Sequence, residues 1–126
     1  GAAFALSVSP DGAPGPRQVI ATAMRAEPVR IVASRSHNTP ETDAFIAAHP
    51  GADIVSVGSS LKFCLVAEGA ADLYPRFGRT MEWDTAAGDA VLRAAGGMTR
   101  TLDGAPFAYG KGPVFENPHF IASGRG

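Results

Sequence analysis

The chain has 126 residues, 45% of them hydrophobic and 18% charged, and a net charge of −1. That balance fits one folded domain and excludes a disordered chain, while the near-neutral charge and the lack of a basic run argue against nucleic acid as a partner. No apolar stretch approaches the ~20 residues of a membrane span, and a single cysteine, Cys64, rules out an internal disulfide and suits a reducing cytosol.

In chain order, residues 3–8 (AFALSV) read as a short strand, 9–16 as a Gly/Pro turn region and 17–24 as the hairpin partner. A two-stranded hairpin alone is marginal in water, so this one either folds back on the rest of the chain or belongs with something upstream. Residues 28–34 (PVRIVAS) form a β-branched core strand, followed by the polar loop RSHN. A helix is predicted over 39–51, with Thr39 to cap it, Pro40 in its first turn and His49-Pro50-Gly51 to stop it. A strand at 52–58 leads into a helix at 59–69, apolar on nearly every face and therefore buried, and ended by Gly69. A strand at 71–78, a helix at 84–97 closed by a glycine pair, and short strands around MTRTL and HFIAS complete the pattern. This alternation predicts an α/β layered domain, a mixed and mostly parallel sheet with helices on both faces, preceded by the hairpin.

Several residues could receive an anion. Gly58 ends a strand and Ser59 or Ser60 begins a helix, whose first N–H groups are unpaired and carry the positive end of the helix dipole. Lys62 follows Ser59 by three residues on an adjacent part of the same face, and an ammonium in an apolar helix is costly unless something pairs it. A phosphate would do so; the plainer alternative is a serine cap with Lys62 reaching solvent along its stem. The loop ASRSHN follows a strand, where ligand loops of open α/β sheets lie, so His37 with Ser34, Arg35 and Ser36 could donate to an oxyanion or simply form a polar loop. Arg76 ends another strand and could close a phosphate clamp with its planar fork, or sit on the surface.

Asp84, placed at the start of an alanine-rich helix, is accounted for as a cap. A metal would need more oxygen ligands than Asp84 has near it in sequence. Asp89 is turned away along the helix, Glu82 should point elsewhere, and the chain holds no D-x-D and no histidine pair at metal spacing. His49 and His119 read as loop residues, Cys64 as core, and Trp83 as a packing anchor at the strand-to-helix corner.

The segments SRSH (34–37), SVGSSLKFCLVAEGAADLYPRFG (56–78) and WDTAAGDAVLRAAGG (83–97), taken together, resemble the C-terminal half of the 3'(2'),5'-bisphosphate nucleotidases of the CysQ type. These belong to the inositol monophosphatase and fructose bisphosphatase superfamily, which the W-D-x-A-A-G segment marks, while G-S-S-L-K-F-C with Y-P-R-F-G points to the nucleotidase branch. The resemblance runs from about Val29 to the end, and GAAFALSVS is similar to the last hairpin of that family's N-terminal domain. It implies a division into residues 1–27, a hairpin remnant of an N-terminal domain, and 28–126, a C-terminal phosphatase domain of the inositol monophosphatase-like fold.

The resemblance further implies that Asp84 is a ligand to Mg²⁺ and lies beside the substrate, with the other carboxylates supplied by a Glu-Glu segment and a D-P-x-D-G-T motif that these 126 residues do not contain. It places His37, Ser59, Lys62 and Arg76 around the nucleotide and its non-scissile phosphate. The implied reaction is Mg²⁺-dependent hydrolysis of 3'-phosphoadenosine 5'-phosphate to AMP and phosphate in sulfur assimilation. The implied enzyme is monomeric and cytoplasmic, with peripheral association at the inner membrane as an option. Its partner is the missing N-terminal half, without which this chain should hydrolyse little. Two alternatives stay open: a sibling acting on inositol monophosphate, and a non-catalytic anion- or nucleotide-binding module.

Overall fold

The computed structural model describes residues 1–34, 38–57 and 61–125. Their elements are β1 (Ala3–Ala5), β2 (Gln18–Ile20), β3 (Arg30–Val32), α1 (Pro40–Ala47), β4 (Asp53–Val55), α2 (Leu61–Ala67), β5 (Leu73–Arg76), α3 (Glu82–Ala94), β6 (Met98–Thr101) and β7 (Phe120–Ser123). β1 and β2 pair antiparallel as a two-stranded sheet, and the other strands form a five-stranded sheet in the order β4-β3-β5-β7-β6.

β3 runs parallel to β4 and to β5, whereas β7 is antiparallel to both β5 and β6. The sheet is mixed, as expected, but evenly so and not mostly parallel. The connections explain this. α1 and α2 provide the long crossovers that parallel neighbours need, while a turn-rich stretch without a helix joins β6 to β7 and brings β7 back antiparallel.

Side chains alternate across each strand and so divide between two cores. Ile31 and Leu73 face a layer containing Phe45 and Ile46 of α1, and Val32, Tyr74, Phe120 and Ala122 face a layer containing Phe63 and Val66 of α2 and Leu92 of α3. In the second layer Phe63 stacks on Phe120 at 5.7 Å and meets the Tyr74 ring edge-on at 5.1 Å, so its ring is held from two sides.

Gly88 lets α3 approach that ring, since a β-carbon there would lie 2.6 Å from Cδ2 of Phe63. Gly88→Ala is expected to cost about 1–3 kcal/mol of unfolding free energy in urea, because a ring fixed on two sides cannot yield cheaply. The cost should shrink in a Phe63→Leu background. Equal costs in both backgrounds would mean that this contact is not the cause.

The helix boundaries differ from expectation in ways the contacts explain. In α1 the N–H of Thr42 donates to Thr39 Oγ1 at 3.2 Å, so Thr39 caps as expected, but the helix stops at Ala47 and residues 49–51 form a turn. α3 begins at Glu82, not at Asp84, because the Glu82 N–H donates to Phe115 O at 2.9 Å and the Met81 N–H to Asp84 Oδ2 at 2.8 Å. Gly69, with φ of 81°, ends α2 in the left-handed region that only glycine adopts without strain. The expected helix residues 59 and 60 lie outside the described residues.

The hairpin folds back on the domain. Ala3 is buried in the second core, and the Thr22 N–H donates to Ala95 O at 3.0 Å just beyond α3. Its outer side leaves Val8, Val19 and Met24 exposed. The link from the hairpin to the sheet is fastened by Asp72. Its buried carboxylate accepts from Arg30 Nη2 at 3.1 Å, Arg30 Nε at 3.2 Å and the backbone N–H groups of Arg30 and Ala26 at 2.8 and 3.3 Å. Among the described residues no helix is long and apolar enough to cross a membrane.

Candidate functional site

The C-terminal end of β5 opens into a cleft of ≈ 420 Å³ between the first described turn of α2 and the first turn of α3, lined by Lys62, Arg76, Arg79, Thr80, Asp84 and Thr85 among others. A second pocket of ≈ 210 Å³ adjoins it, shares Lys62, Tyr74 and Arg76, and extends to Ser34, Asn38 and Thr39 beside β3 and α1. The two pockets thus straddle a wall made by Lys62 and Arg76.

Pro75 helps to place Arg76. β3 is registered with β5 only at Leu73, so Pro75, which has no N–H, lies beyond the β3 ladder while it is still paired with Ile121 of β7 on the other side. Arg76 then projects at the sheet's end. It is half-buried, its Nη2 reaches Arg79 O only at 3.4 Å, and its buried Nε has no hydrogen-bond partner among the described residues. A buried guanidinium N–H without an acceptor is a costly arrangement unless a ligand supplies one.

Lys62 is half-buried on α2, with Nζ 5.6 Å from the centre of the Tyr74 ring. Burial pushes its pKa down, and the nearby positive charge of Arg76 pushes it the same way. Among the described residues neither Lys62 nor Arg76 forms an ion pair, and two such cations facing one space favour an anion there. Arg79 adds a third positive side chain, loosely paired with Glu116 at 3.3 Å on the exposed rim. Against these three cations the described residues of the cleft lining include one carboxylate, Asp84.

Asp84 is exposed to the cleft on the first turn of α3. It does not cap the helix from the position before it, as the sequence suggested. It sits inside the turn and reaches back to accept the Met81 N–H, so one oxygen serves the helix start while the carboxylate still faces the cleft. Glu82 does point elsewhere, accepting from the backbone N–H groups of Gly110 and Lys111. Asp89 is also turned away and buried, bound to the Tyr109 hydroxyl at 3.0 Å and to Arg93 Nε at 3.1 Å.

The expectation for Trp83 fails. Its side chain is 68% exposed at the cleft rim, and its ring lies 6.1 Å from that of Phe115, which is itself exposed. The early start of α3 explains the difference, since it turns position 83 outward and gives the inward positions of the first turn to Glu82 and Thr85. Cys64 is half-buried and, contrary to expectation, belongs to neither core; burial first, and then the charge of Glu68, raises its pKa and keeps it protonated.

Of the residues expected at the site, the structure brings Lys62, Arg76 and Asp84 onto one cleft. His37 and Ser59 lie outside the described residues. Arg79, Thr80 and Thr85 were missed. The signal for Arg79 was present, an arginine immediately after the Phe77-Gly78 pair that follows a strand end, but a lone arginine carries little weight in sequence. Asp84 has the oxygen chemistry of a Mg²⁺ ligand. Among the described residues, however, no group of three or more His, Cys, Asp or Glu side chains could hold a metal ion, so Asp84 fits as one ligand of a shell whose other members these residues do not supply.

The profile of the inositol monophosphatase family matches residues 14–124. The 3'(2'),5'-bisphosphate nucleotidase CysQ of Escherichia coli strain K12 is 49% identical over 98 residues, covering 78% of this chain and 40% of that protein. A protein of Rhizobium leguminosarum bv. phaseoli, described as an uncharacterized protein in the pss 5' region, is 63% identical across 64% of this chain and 90% of its own. Among solved structures, CysQ from Bacteroides thetaiotaomicron superposes with a TM-score of 0.77 at 45% identity, covering 87% of this chain and 42% of that one. Inositol monophosphatase II from Staphylococcus aureus shares the fold, with a TM-score of 0.68 at 19% identity. The chain spans about 40% of the length of the E. coli nucleotidase that it matches.

Proposed function

Because the chain belongs to the inositol monophosphatase family, we propose that its cleft is the nucleotide-binding part of a phosphatase that converts 3'-phosphoadenosine 5'-phosphate and water to AMP and phosphate. The observation that carries this reading is the convergence, among the described residues, of Lys62 and Arg76, both short of anionic partners there, with the one carboxylate Asp84 on one cleft. The likeness to CysQ 3'(2'),5'-bisphosphate nucleotidases at 49% identity supports a nucleotide bisphosphate as the substrate; a cytoplasmic role in sulfur assimilation is part of the same proposal.

In this reading Lys62 and Arg76 hold the phosphate that is not cleaved, with donors that strengthen on pairing with an anion. Holding that group fixes the other phosphate against Asp84, so the bond from phosphorus to the ribose oxygen can break as a new one forms to the oxygen of water. Mg²⁺, when bound, supplies charge neutralisation and activation of that water. Asp84 serves as one of its ligands. Further carboxylates come from the part of the relatives' length that this chain does not span, and with them absent the chain alone binds without hydrolysing. We assign residues 1–27 to the edge of that other part and 28–126 to the domain that carries the cleft.

The test is phosphate release in Mg²⁺ from 3'-phosphoadenosine 5'-phosphate and, separately, from inositol monophosphate, by this chain and by the enzyme of its relatives' full length. Release only by the longer enzyme, with the adenosine bisphosphate preferred, is expected. Equal or better turnover of inositol monophosphate would reassign the substrate. Hydrolysis by the chain alone would refute the need for outside carboxylates.

A further inference from the structure

The segment between β6 and β7 carries no helix and no motif, yet it grips the turn that bears Asp84. Asn117, 4% exposed, is the centre of that grip. Its backbone N–H donates to Thr80 O at 2.8 Å, and the Glu82 N–H donates to Phe115 O at 2.9 Å, so residues 115–117 run alongside 80–82. Its Nδ2 donates to Thr80 Oγ1 at 3.2 Å and to Thr85 Oγ1 at 3.0 Å, and its Oδ1 accepts from Lys111 Nζ at 3.2 Å. Every polar position of the side chain is therefore used, and only an amide offers two donors and an acceptor in that shape.

Thr80 and Thr85 both line the cleft and flank Asp84, one before the helix and one immediately after the carboxylate. The Asn117 side chain joins them, closing a ring around the turn from which Asp84 projects. Within that ring the Met81 N–H is taken by Asp84 itself. We infer that Asn117 is a positioning residue: it fixes the spacing of Thr80 and Thr85 and so the direction in which the Asp84 carboxylate faces the cleft, without touching the ligand. This rests on the reading of Asp84 as a group that meets the ligand.

The test uses the chain itself, labelled for NMR, with Asn117→Ala and the volume-keeping Asn117→Leu. Amide exchange of Met81 reports the bond to Asp84. It should quicken about 10-fold or more in both variants while the amides of Ile31 and Leu92 in the two cores keep their protection. Mn²⁺ alone is the second probe: its broadening of the amides of residues 82–85 should need about 5–10-fold more Mn²⁺ in the variants. Unchanged Met81 exchange, or loss of protection spread equally to Ile31 and Leu92, overturns the assignment. If Mn²⁺ fails to broaden residues 82–85 in the wild-type chain, the one carboxylate is too little to hold the ion without the rest of its shell, and Met81 exchange alone decides the role of Asn117.

Discussion

Replacing Asp72 by alanine is expected to remove about 3–5 kcal/mol of unfolding free energy, enough to leave a domain of this size close to its unfolding midpoint. The carboxylate is nearly fully buried and serves four N–H donors, two from the Arg30 side chain and two from the backbone. Alanine leaves all of them without an acceptor, and the Arg30 guanidinium is only partly able to turn to solvent. The effect should depend on pH. Burial alone would raise the Asp72 pKa, but the bonds from Arg30 and Ala26 outweigh it and hold the group below its ordinary value. A depressed carboxylate stabilises the fold above its unfolded pKa, about 3.9, and that contribution is lost as pH falls through the lower folded value. Urea unfolding should therefore show a larger difference between wild type and Asp72→Ala near neutral pH than below about pH 3. A difference that is the same at both would mean that the ionised carboxylate is not what matters.

Lys62→Met should act in two directions. It removes one of the two cations that hold the non-scissile phosphate, so affinity for 3'-phosphoadenosine 5'-phosphate should fall about 30-fold or more, as expected for a partly desolvated charge-assisted bond worth about 2 kcal/mol. In the longer enzyme the same change should raise KM for the bisphosphate far more than for a monophosphate. Equal effects on the two substrates would sink the clamp. The unliganded fold, by contrast, should be no less stable and is expected to unfold at a higher urea concentration. The Lys62 pKa is lowered by burial and by Arg76, which means that the charged form is disfavoured in the folded state. That penalty holds at neutral pH and fades as pH rises through the folded value towards the ordinary value of about 10.4, so the gain of the methionine variant should fade with it. A residue that weakens its own fold and faces another cation is placed for what it binds.

What could be read in the sequence followed from local signals. Thr39 with Pro40, Gly69 and the glycine pair after α3 each mark a helix end through their own backbone chemistry, and the structure has helix boundaries near all three. The convergence of Lys62 and Arg76 was legible only through the family resemblance, since the local signals, a lysine early in a helix and an arginine at a strand end, left each a plainer surface reading. The order of the sheet was not. Nothing local says that β7, the last strand in the chain, enters between β5 and β6, and this insertion is what makes the sheet evenly mixed. The start of α3 was missed because the acceptor for the Glu82 N–H, Phe115 O, lies 33 residues downstream. Asn117 was invisible for the same reason: a neutral amide in a turn-rich stretch has no periodicity, and its importance appears only when Thr80, Thr85 and Lys111 surround it.

The most direct measurement is a titration of the isotope-labelled chain with 3'-phosphoadenosine 5'-phosphate, followed through its amide resonances. The account predicts saturable shifts at Lys62, Arg76, Arg79 and Asp84, around the cleft they share, and their loss in Lys62→Met. Saturable shifts confined to another surface, or no shift at a concentration of about 1 mM, where even a weak complex forms, would contradict it.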